Sequence, residues 1–254
     1  MTDESMNQAL VEVRSEDGVS RLVLNRPQAR NALSMEMIDS LLEAVEGLRT
    51  DESNRVVVLE GAGKSFCAGM DLKGVMNDPL QMGEMLRTLA RVTIALRSIP
   101  VPTIARVQGA AIGGGCGLCG VCDFVVSHPE VKMGYPEIGL GICPAVVAPW
   151  LIRRIGAGNA RAILLAGGTM PAEEALRMGL IDRLVPETEL DTEVDGLVGK
   201  IASGGPKAIM VTKKWLNELD GPDVEAQVLK GAELSAEVIR GSEAQERLRK
   251  VFAK

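Results

Sequence analysis

Apolar and polar residues alternate in two short segments near the start of the chain. Leu10–Val13 and Ser20–Leu24 both follow the period of two that is typical of strands with one buried face. Glu16-Asp17-Gly18 between them is typical of a tight turn. The pattern therefore predicts a β-hairpin.

The period then changes to that of a helix. Apolar residues recur at helical spacing from an N-cap at Ser34 to about Arg49, and again over Gln81–Ile99. Val56–Leu59 and Thr103–Val107 are short apolar runs, as expected of strands buried on both faces. Strands that alternate with helices over short connections predict βαβ units and a parallel sheet.

Beyond Pro144 the pattern is mostly helical, and only Ile181–Val185 is typical of a strand. The helices predicted there cover Ala145–Ile155, Ala157–Ala166, Pro171–Met178, Glu187–Ile201, Pro206–Leu219, Val224–Arg240 and Ser242–Phe252. The predicted fold class is α/β, with a helical C-terminal third whose apolar stripes are available to a subunit interface.

Composition narrows the function classes. The net charge of −6 argues against a nucleic-acid-binding surface, which needs a basic face. The first residues, MTDESMNQ, are polar and acidic, so we expect no signal peptide. No apolar run reaches the roughly 18 residues of a membrane span. Five cysteines without an export signal predict free thiols and a cytoplasmic location.

The candidate chemistry lies after the strand Thr103–Val107. Gly113-Gly114-Gly115 precedes a short apolar helix, and a helix N-terminus offers unpaired N–H donors and a partial positive charge. Glu137 follows among apolar and glycine neighbours. Donors that hold a negative charge, together with a carboxylate that moves a proton, suit chemistry through an oxyanion. Burial beside Tyr135 and Ile138 is expected to raise the pKa of Glu137 above about 4.3.

Other motif-like segments favour structural interpretations. Gly61–Ser65 resembles a phosphate-binding loop but has Val58 where the motif needs glycine, so we expect a surface turn. Gly115–Gly120 spells G-x-G-x-x-G without a well-placed acidic partner. The lone His128 precedes Pro129 and is expected to be solvated.

Three cysteines share the apolar helix with a spacing seen in iron–sulfur sites. Cys116, Cys119 and Cys122 are separated by two residues each, but the next cysteine is Cys143. We expect these cysteines to act as small buried hydrophobes and not as metal ligands. A further segment, Phe66–Leu72, suggests a helix start capped by Asp71, or an ordinary capped turn, with a free N–H at Met70.

Three segments together resemble the crotonase (enoyl-CoA hydratase/isomerase) superfamily. They are LNRPQARNAL at Leu24–Leu33, FCAGMDL at Phe66–Leu72, and GAAIGGG from Gly109 with the later Pro136-Glu137 and Gly141. The resemblance covers nearly the whole chain in order. It implies a crotonase-like spiral of ββα units over residues 1–190, which binds an acyl-CoA thioester. It also implies a C-terminal helical region, 191–254, that packs on the core and on neighbouring subunits.

The resemblance also assigns roles to residues. The oxyanion hole of the family matches the backbone N–H groups of Met70 and Gly114, and its catalytic glutamate matches Glu137. A homotrimer or a dimer of trimers is implied. Neither a metal nor a separate cofactor is implied, since coenzyme A is part of the substrate.

The coenzyme A contacts follow from the same resemblance. The adenine-contacting loop of the family matches Ala68 and the backbone of Asp71 and Leu72. Arg26 and Arg30 match a segment that often lies near the coenzyme A phosphates.

One position departs from the family. Hydratases usually carry a first glutamate in a G-G-G-x-E motif, and that position is Gly117 here, so only Glu137 remains. Two acids suit the addition of water, whereas one base suits a double-bond shift. This leaves enoyl-CoA hydratase as the first interpretation and Δ3,Δ2-enoyl-CoA isomerase as the alternative. A non-catalytic crotonase-fold binding protein is the third.

The acyl group stays open at this point. The segment from Ile138 to Pro149 resembles bacterial hydratases of the branched glutaconyl-CoA type, which supports hydration. Asn77–Arg87 is expected to line the acyl pocket, with Asp78 and Glu84 as candidate replacements for the missing acid.

Overall fold

The computed structural model describes residues 9–252. The first eight residues, on which the expectation of no signal peptide rests, lie outside the described residues. The strands are β1 (Val11–Glu16), β2 (Val19–Leu24), β3 (Val56–Gly61), β4 (Thr103–Val107), β5 (Ala110–Ile112), β6 (Phe124–Ser127), β7 (Lys132–Gly134), β8 (Thr169–Pro171) and β9 (Arg183–Leu184). The α-helices are α1 (Met35–Thr50), α2 (Pro79–Arg97), α3 (Gly114–Val121), α4 (Ala148–Ala166), α5 (Ala172–Met178), α6 (Leu190–Ala202), α7 (Pro206–Leu219), α8 (Val224–Arg240) and α9 (Ser242–Phe252). Within residues 9–252, no helix is both long enough and apolar enough to cross a membrane.

The chain advances by a repeated turn from one sheet to a second layer and then to a helix. The larger sheet has the order β1-β2-β3-β4-β6-β9, and the smaller one has the order β5-β7-β8. Thus β4, β5 and α3 form one turn, and β6, β7 and α4 form the next. In the earlier turns the second layer is reduced to isolated bridges, Leu33 with Met70 and Cys67 with Ala111. This is the predicted spiral of ββα units.

The central strands of the larger sheet are buried on both faces, whereas its edge strand β1 is largely exposed. The predicted hairpin is confirmed as β1 and β2, and β2, β3, β4, β6 and β9 pair in parallel. Along β3, Val57 and Leu59 face the main core, whereas Val56 and Val58 face a second cluster that α6 covers. This alternation explains why β3 reads as a continuous apolar run.

Local structure agrees with the predictions at two points and departs from them at a third. The two helices predicted on either side of Gly156 are confirmed as the two segments of α4, which kinks at that glycine (φ 79°), although the first segment begins at Ala148, with Pro149 in its first turn. Of the two interpretations of Asp71, the ordinary turn is confirmed: its carboxylate accepts from the N–H of Gly74 at 3.4 Å, and no helix begins there. The smaller sheet was missed because its strands have only three residues each.

The C-terminal helices pack on the core. Along the contact between α2 and α8, a Cβ on Gly83 would lie 3.2 Å from the Cβ of Ala236, and Arg87 forms two hydrogen bonds to Glu233 (2.7 and 3.0 Å). The division of the chain at residues 190 and 191 stays a prediction.

The helix α7 is anchored by a buried charge. Lys213 is 6% exposed, and its Nζ donates to the Asp123 carboxylate at 2.6 Å and to the carbonyl of Val101 at 2.8 Å. Burial lowers the pKa of Lys213, and the Asp123 carboxylate opposes this shift.

Replacing Lys213 by methionine should therefore lower the free energy of unfolding by about 2 kcal/mol, since the Asp123 carboxylate loses its buried cation and keeps only its hydrogen bonds from Thr103 and a longer contact with Arg97 (3.4 Å). The exposed neighbour Lys214 provides the control, and Lys214→Met should stay within about 0.5 kcal/mol of the parent. Urea denaturation of both variants measures the difference. Equal midpoints would show that the Lys213 ion pair contributes nothing.

Candidate active site

The segment around Met70 is held by backbone pairing on both sides. Cys67 donates its N–H to the carbonyl of Ala110 (3.0 Å) and accepts from the N–H of Ile112 (3.0 Å). Leu33 donates to the carbonyl of Gly69 (2.8 Å), and Asp71 donates back to Leu33 (3.0 Å). These hydrogen bonds lie on both sides of Met70 but do not use its N–H, which has no acceptor within residues 9–252.

A second free donor lies at the start of α3. Gly113 has a φ of 54°, which favours glycine, and its N–H donates to the carbonyl of Gly134 at 2.8 Å. The N–H of Gly114 comes next, at the first helical position, and no acceptor in the described part of the chain engages it. A Cβ on Gly69 would lie 3.9 Å from the Gly114 nitrogen, so the two segments are neighbours.

Glu137 lies beside the same turn. It belongs to the 3-10 helix Pro136–Leu140, and its carbonyl accepts from the N–H of Ile142 at 2.9 Å. Its Oε2 is buried and has no hydrogen-bond partner within residues 9–252. Burial raises the pKa of Glu137 to about 7, which confirms the predicted direction. Ile138 is itself 40% exposed, whereas Tyr135 is fully buried.

Two glycines, at the start and in the middle of α3, leave room for the neighbouring side chains of Glu137 and Val147. Gly113 and Gly117 are one helical turn apart, so they share a face. A Cβ on Gly113 would lie 2.8 Å from Oε1 of Glu137, and a Cβ on Gly117 would lie 2.5 Å from Cγ1 of Val147. Val147 therefore occupies the space into which a glutamate at position 117 would extend.

A cavity of about 90 Å³ joins these groups. Five of the predicted site residues line it: Ala68, Met70, Leu72, Gly114 and Glu137. The other lining residues are mostly apolar and come from α2, from α8 and from the segments around α3 and Glu137: Gly69, Leu86, Leu89, Ile112, Gly113, Pro136, Leu140, Ile142, Cys143, Pro144, Val146, Val147, Ser235 and Ile239.

The remaining predicted site residues lie outside the cavity. Arg26 and Asp71 form an ion pair at 2.7 Å, and Arg26 also donates to the carbonyl of Ala32 at 3.2 Å. The Arg30 side chain is exposed, and its carbonyl accepts from the N–H of Ala68 at 3.0 Å.

The candidate replacement acids do not reach the cavity. Asp78 caps α2 by accepting from the N–H groups of Leu80 and Gln81 (3.1 and 3.0 Å). Glu84 pairs with Arg87 and Arg91. Glu137 is the one carboxylate that lines the cavity among residues 9–252.

The competing motifs have structural roles. His128 was predicted to be solvated, but it is 3% exposed because its Nε2 accepts from the N–H of Gly109 at 3.1 Å. Gly63 and Lys64 lie on an exposed turn after β3, as predicted. The cysteines of α3 are buried, and burial raises the pKa of the Cys116 and Cys122 thiols to about 12. No cluster of metal-ligating side chains occurs in the described residues.

Comparison with known proteins places the chain in a family. A family model described as enoyl-CoA hydratase/isomerase matches residues 14–250. The chain belongs to this family. One relative, a putative enoyl-CoA hydratase of Thermus thermophilus, is 37% identical over 82% of this chain and 83% of its own length. A crotonyl-CoA hydratase of Syntrophomonas wolfei is 33% identical over 84% of this chain and 83% of its own.

A solved structure agrees with this fold. An enoyl-CoA hydratase of Mycobacterium smegmatis superimposes with a TM-score of 0.81 and 32% identity over 97% of both chains. The α/β spiral of the chain is therefore the crotonase fold.

Most of the cavity wall was not predicted residue by residue. Leu86 lies in the segment expected to line the acyl pocket, but Ser235 and Ile239 reach the cavity from α8. Their spacing of one helical turn marks one face of the predicted helix. Nothing local in the sequence indicates that this face meets Glu137.

Gly113→Ala should lower kcat by about 100-fold, because the added Cβ displaces the Glu137 carboxylate and the positive φ is strained. Gly120→Ala is the control in the same helix, since its Cβ would meet only the Tyr135 hydroxyl, at 3.9 Å. Steady-state turnover of an enoyl-CoA thioester measures both. A parental kcat for Gly113→Ala would contradict the close contact with Glu137.

Proposed function

We propose that the protein is an enoyl-CoA hydratase that works through an oxyanion-stabilised enolate. The observation that carries the proposal is the position of Glu137, a buried carboxylate with an unpartnered oxygen, in a cavity that Met70 and Gly114 also line, each with an N–H that has no acceptor within residues 9–252. Donors aimed at the thioester oxygen stabilise the charge that develops on it. The hydratase names of the relatives support the same reaction.

The proposed hydration uses one acid–base group. The thioester oxygen of a 2-enoyl-CoA accepts from Met70 and Gly114. The ionised Glu137 takes a proton from a water molecule while the oxygen of that water bonds to C3. The electron pair of the C2–C3 double bond then moves through C2 into the enolate. Glu137 then returns the proton to C2 as the enolate collapses, so one water molecule is added.

A double-bond shift is the second candidate. The observation that favours it is Val147, which fills the place of a second carboxylate beside Gly117. In this reaction Glu137 removes a proton from C2 of a 3-enoyl-CoA and returns it to C4. A non-catalytic binding protein has less support, because it has no use for a carboxylate whose pKa is near 7.

The coenzyme A end of the substrate is assigned to the segments that precede the cavity. We assign its adenine to Ala68 and to the backbone of Asp71 and Leu72. Exposure of Arg30 supports a phosphate contact there, whereas the charge of Arg26 is already paired with Asp71. The proposed reaction requires no cofactor beyond coenzyme A itself. The free thiols of all five cysteines support a location in the reducing cytoplasm.

A homotrimer, or a dimer of such trimers, is the proposed assembly. Lys213 is the one buried residue of α7. The helix exposes Val211 and Trp215 on the side opposite Lys213, and Leu216 on its flank, and these three side chains (54–60% exposed) form its apolar face. A second copy of the chain that covers this face removes an apolar patch from water.

Glu137→Gln should lower kcat/KM at least about 100-fold for the reaction that the enzyme catalyses, because amide nitrogen and oxygen do not accept the proton. Two assays follow the absorbance of the conjugated thioester: its loss from trans-2-enoyl-CoA and its gain from 3-enoyl-CoA. Loss of absorbance from trans-2-enoyl-CoA supports hydration. Gain of absorbance from 3-enoyl-CoA, without loss in the first assay, supports the isomerase. Glu84→Gln is the control, since Glu84 lies outside the cavity. Activity that survives Glu137→Gln would contradict the assignment.

The parent enzyme should lose kcat/KM as the pH falls through about 7, because protonation removes the base. The acidic limb of the plot of kcat/KM against pH should fit the titration of a single group. A midpoint near pH 4.5 would show that burial does not raise the pKa of Glu137.

Leu216→Glu should dissociate the proposed trimer, since it places a charge on the apolar face of α7. Leu80→Glu is the matched control at an exposed leucine on α2 (70% exposed). Sedimentation velocity measures the mass of each variant. A monomeric parent protein would exclude the assembly.

A further inference from the structure

We infer that the acyl group of the substrate is an uncharged hydrocarbon, and that the enzyme selects against acyl chains that end in a second carboxylate. The inference rests on the proposed function, because it concerns the thioester that enters the same cavity. It distinguishes uncharged acyl groups from those with a terminal carboxylate, such as the glutaconyl group, a choice that the sequence analysis did not make.

The charges around the cavity carry the inference. Glu137 is the one charged side chain among the residues that line it. Leu86 and Leu89 from α2 and Ile239 from α8 form apolar walls with Ile142. A carboxylate placed among these side chains would be desolvated without a counter-ion.

The polar side chains of the wall are already engaged or weak. Ser235 is fully buried, and its Oγ donates to the carbonyl of Cys143 at 2.6 Å and accepts from the N–H of Ala145 at 3.2 Å. The Cys143 thiol is a weak hydrogen-bond donor. Neither group offers the charge-assisted hydrogen bond that a carboxylate requires.

Val147 extends the hydrocarbon wall to the face of α3. It packs against Gly117, one helical turn from the glycine that contacts Glu137. A substrate carboxylate at this depth would also face the ionised Glu137, and two like charges at close range disfavour each other.

Arg247 lies beside the cavity but is not part of its wall. It contacts Gly141, where a Cβ would lie 2.8 Å from the Cδ of Arg247. Its Nε pairs with Glu243 at 3.0 Å, and the arginine side chain is 50% exposed.

The test compares two substrates of the same shape on the purified, full-length enzyme. Glutaconyl-CoA carries a carboxylate where 5-methylhex-2-enoyl-CoA carries two methyl groups. At pH 7.5 we expect kcat/KM for the charged substrate to be at least about 100-fold lower. Equal values for the pair would overturn the inference.

The pH dependence of the ratio isolates the substrate charge. Loss of the Glu137 base lowers the turnover of both substrates alike, so this loss cancels in the ratio. Protonation of Glu137 also removes the like charge that faces the substrate carboxylate, which narrows the discrimination in the same direction. If only the neutral acid enters, discrimination should narrow by about tenfold for each pH unit between 7.5 and 5.5. A ratio that stays constant with pH would show that the carboxylate is accepted or is rejected for its shape alone.

Binding of the saturated pair separates this inference from the proposed function. Calorimetry with 5-methylhexanoyl-CoA and glutaryl-CoA needs no turnover. Tighter binding of the uncharged thioester, with no turnover of either enoyl substrate, would support the inference while contradicting the proposed function. Equal binding, or tighter binding of glutaryl-CoA, would overturn the inference itself.

A variant tests the missing counter-ion directly. Leu86→Arg places a cation on the wall, and Leu86→Met is the neutral control of similar size. The arginine should raise kcat/KM for glutaconyl-CoA relative to its uncharged partner by about tenfold, and methionine should leave the ratio unchanged. If the arginine variant does not fold, the substrate pair on the parent enzyme still decides.

Discussion

The site depends on the close approach of other segments to the glycines at the start of α3. At Gly113, Gly115 and Gly117, a Cβ would lie within 3 Å of Glu137, Cys67 and Val147, respectively. Each approach brings one part of the site to the helix: the carboxylate, the strand that leads to Met70, and the wall of the acyl cavity. A side chain at any of the three positions would push one of these parts away, so the geometry rests on the absence of three methyl groups.

Several parts of this arrangement were predictable from the sequence. The β-hairpin and the strands β3 and β4 follow from the period and length of their apolar runs. Glu137 and the glycine cluster were recognised by chemistry and by their family resemblance. The raised pKa of Glu137 followed from its apolar surroundings.

Other parts depend on contacts between distant segments. The smaller sheet escaped prediction because three-residue strands have no periodic pattern. His128 appeared to lie in a solvated turn, but the N–H of Gly109, far along the chain, holds it inside. The role of Val147 is likewise invisible locally, since it follows from a clash with a side chain that Gly117 does not have.

The attachment of α8 to the cavity has a consequence for biosynthesis. Ser235 joins this late helix to the segment that contains Cys143, and Ile239 closes the wall. During synthesis this helix emerges after every other part of the wall, so the cavity is complete only once α8 has been made. A ligand that fills the complete cavity then favours the finished fold over its precursors.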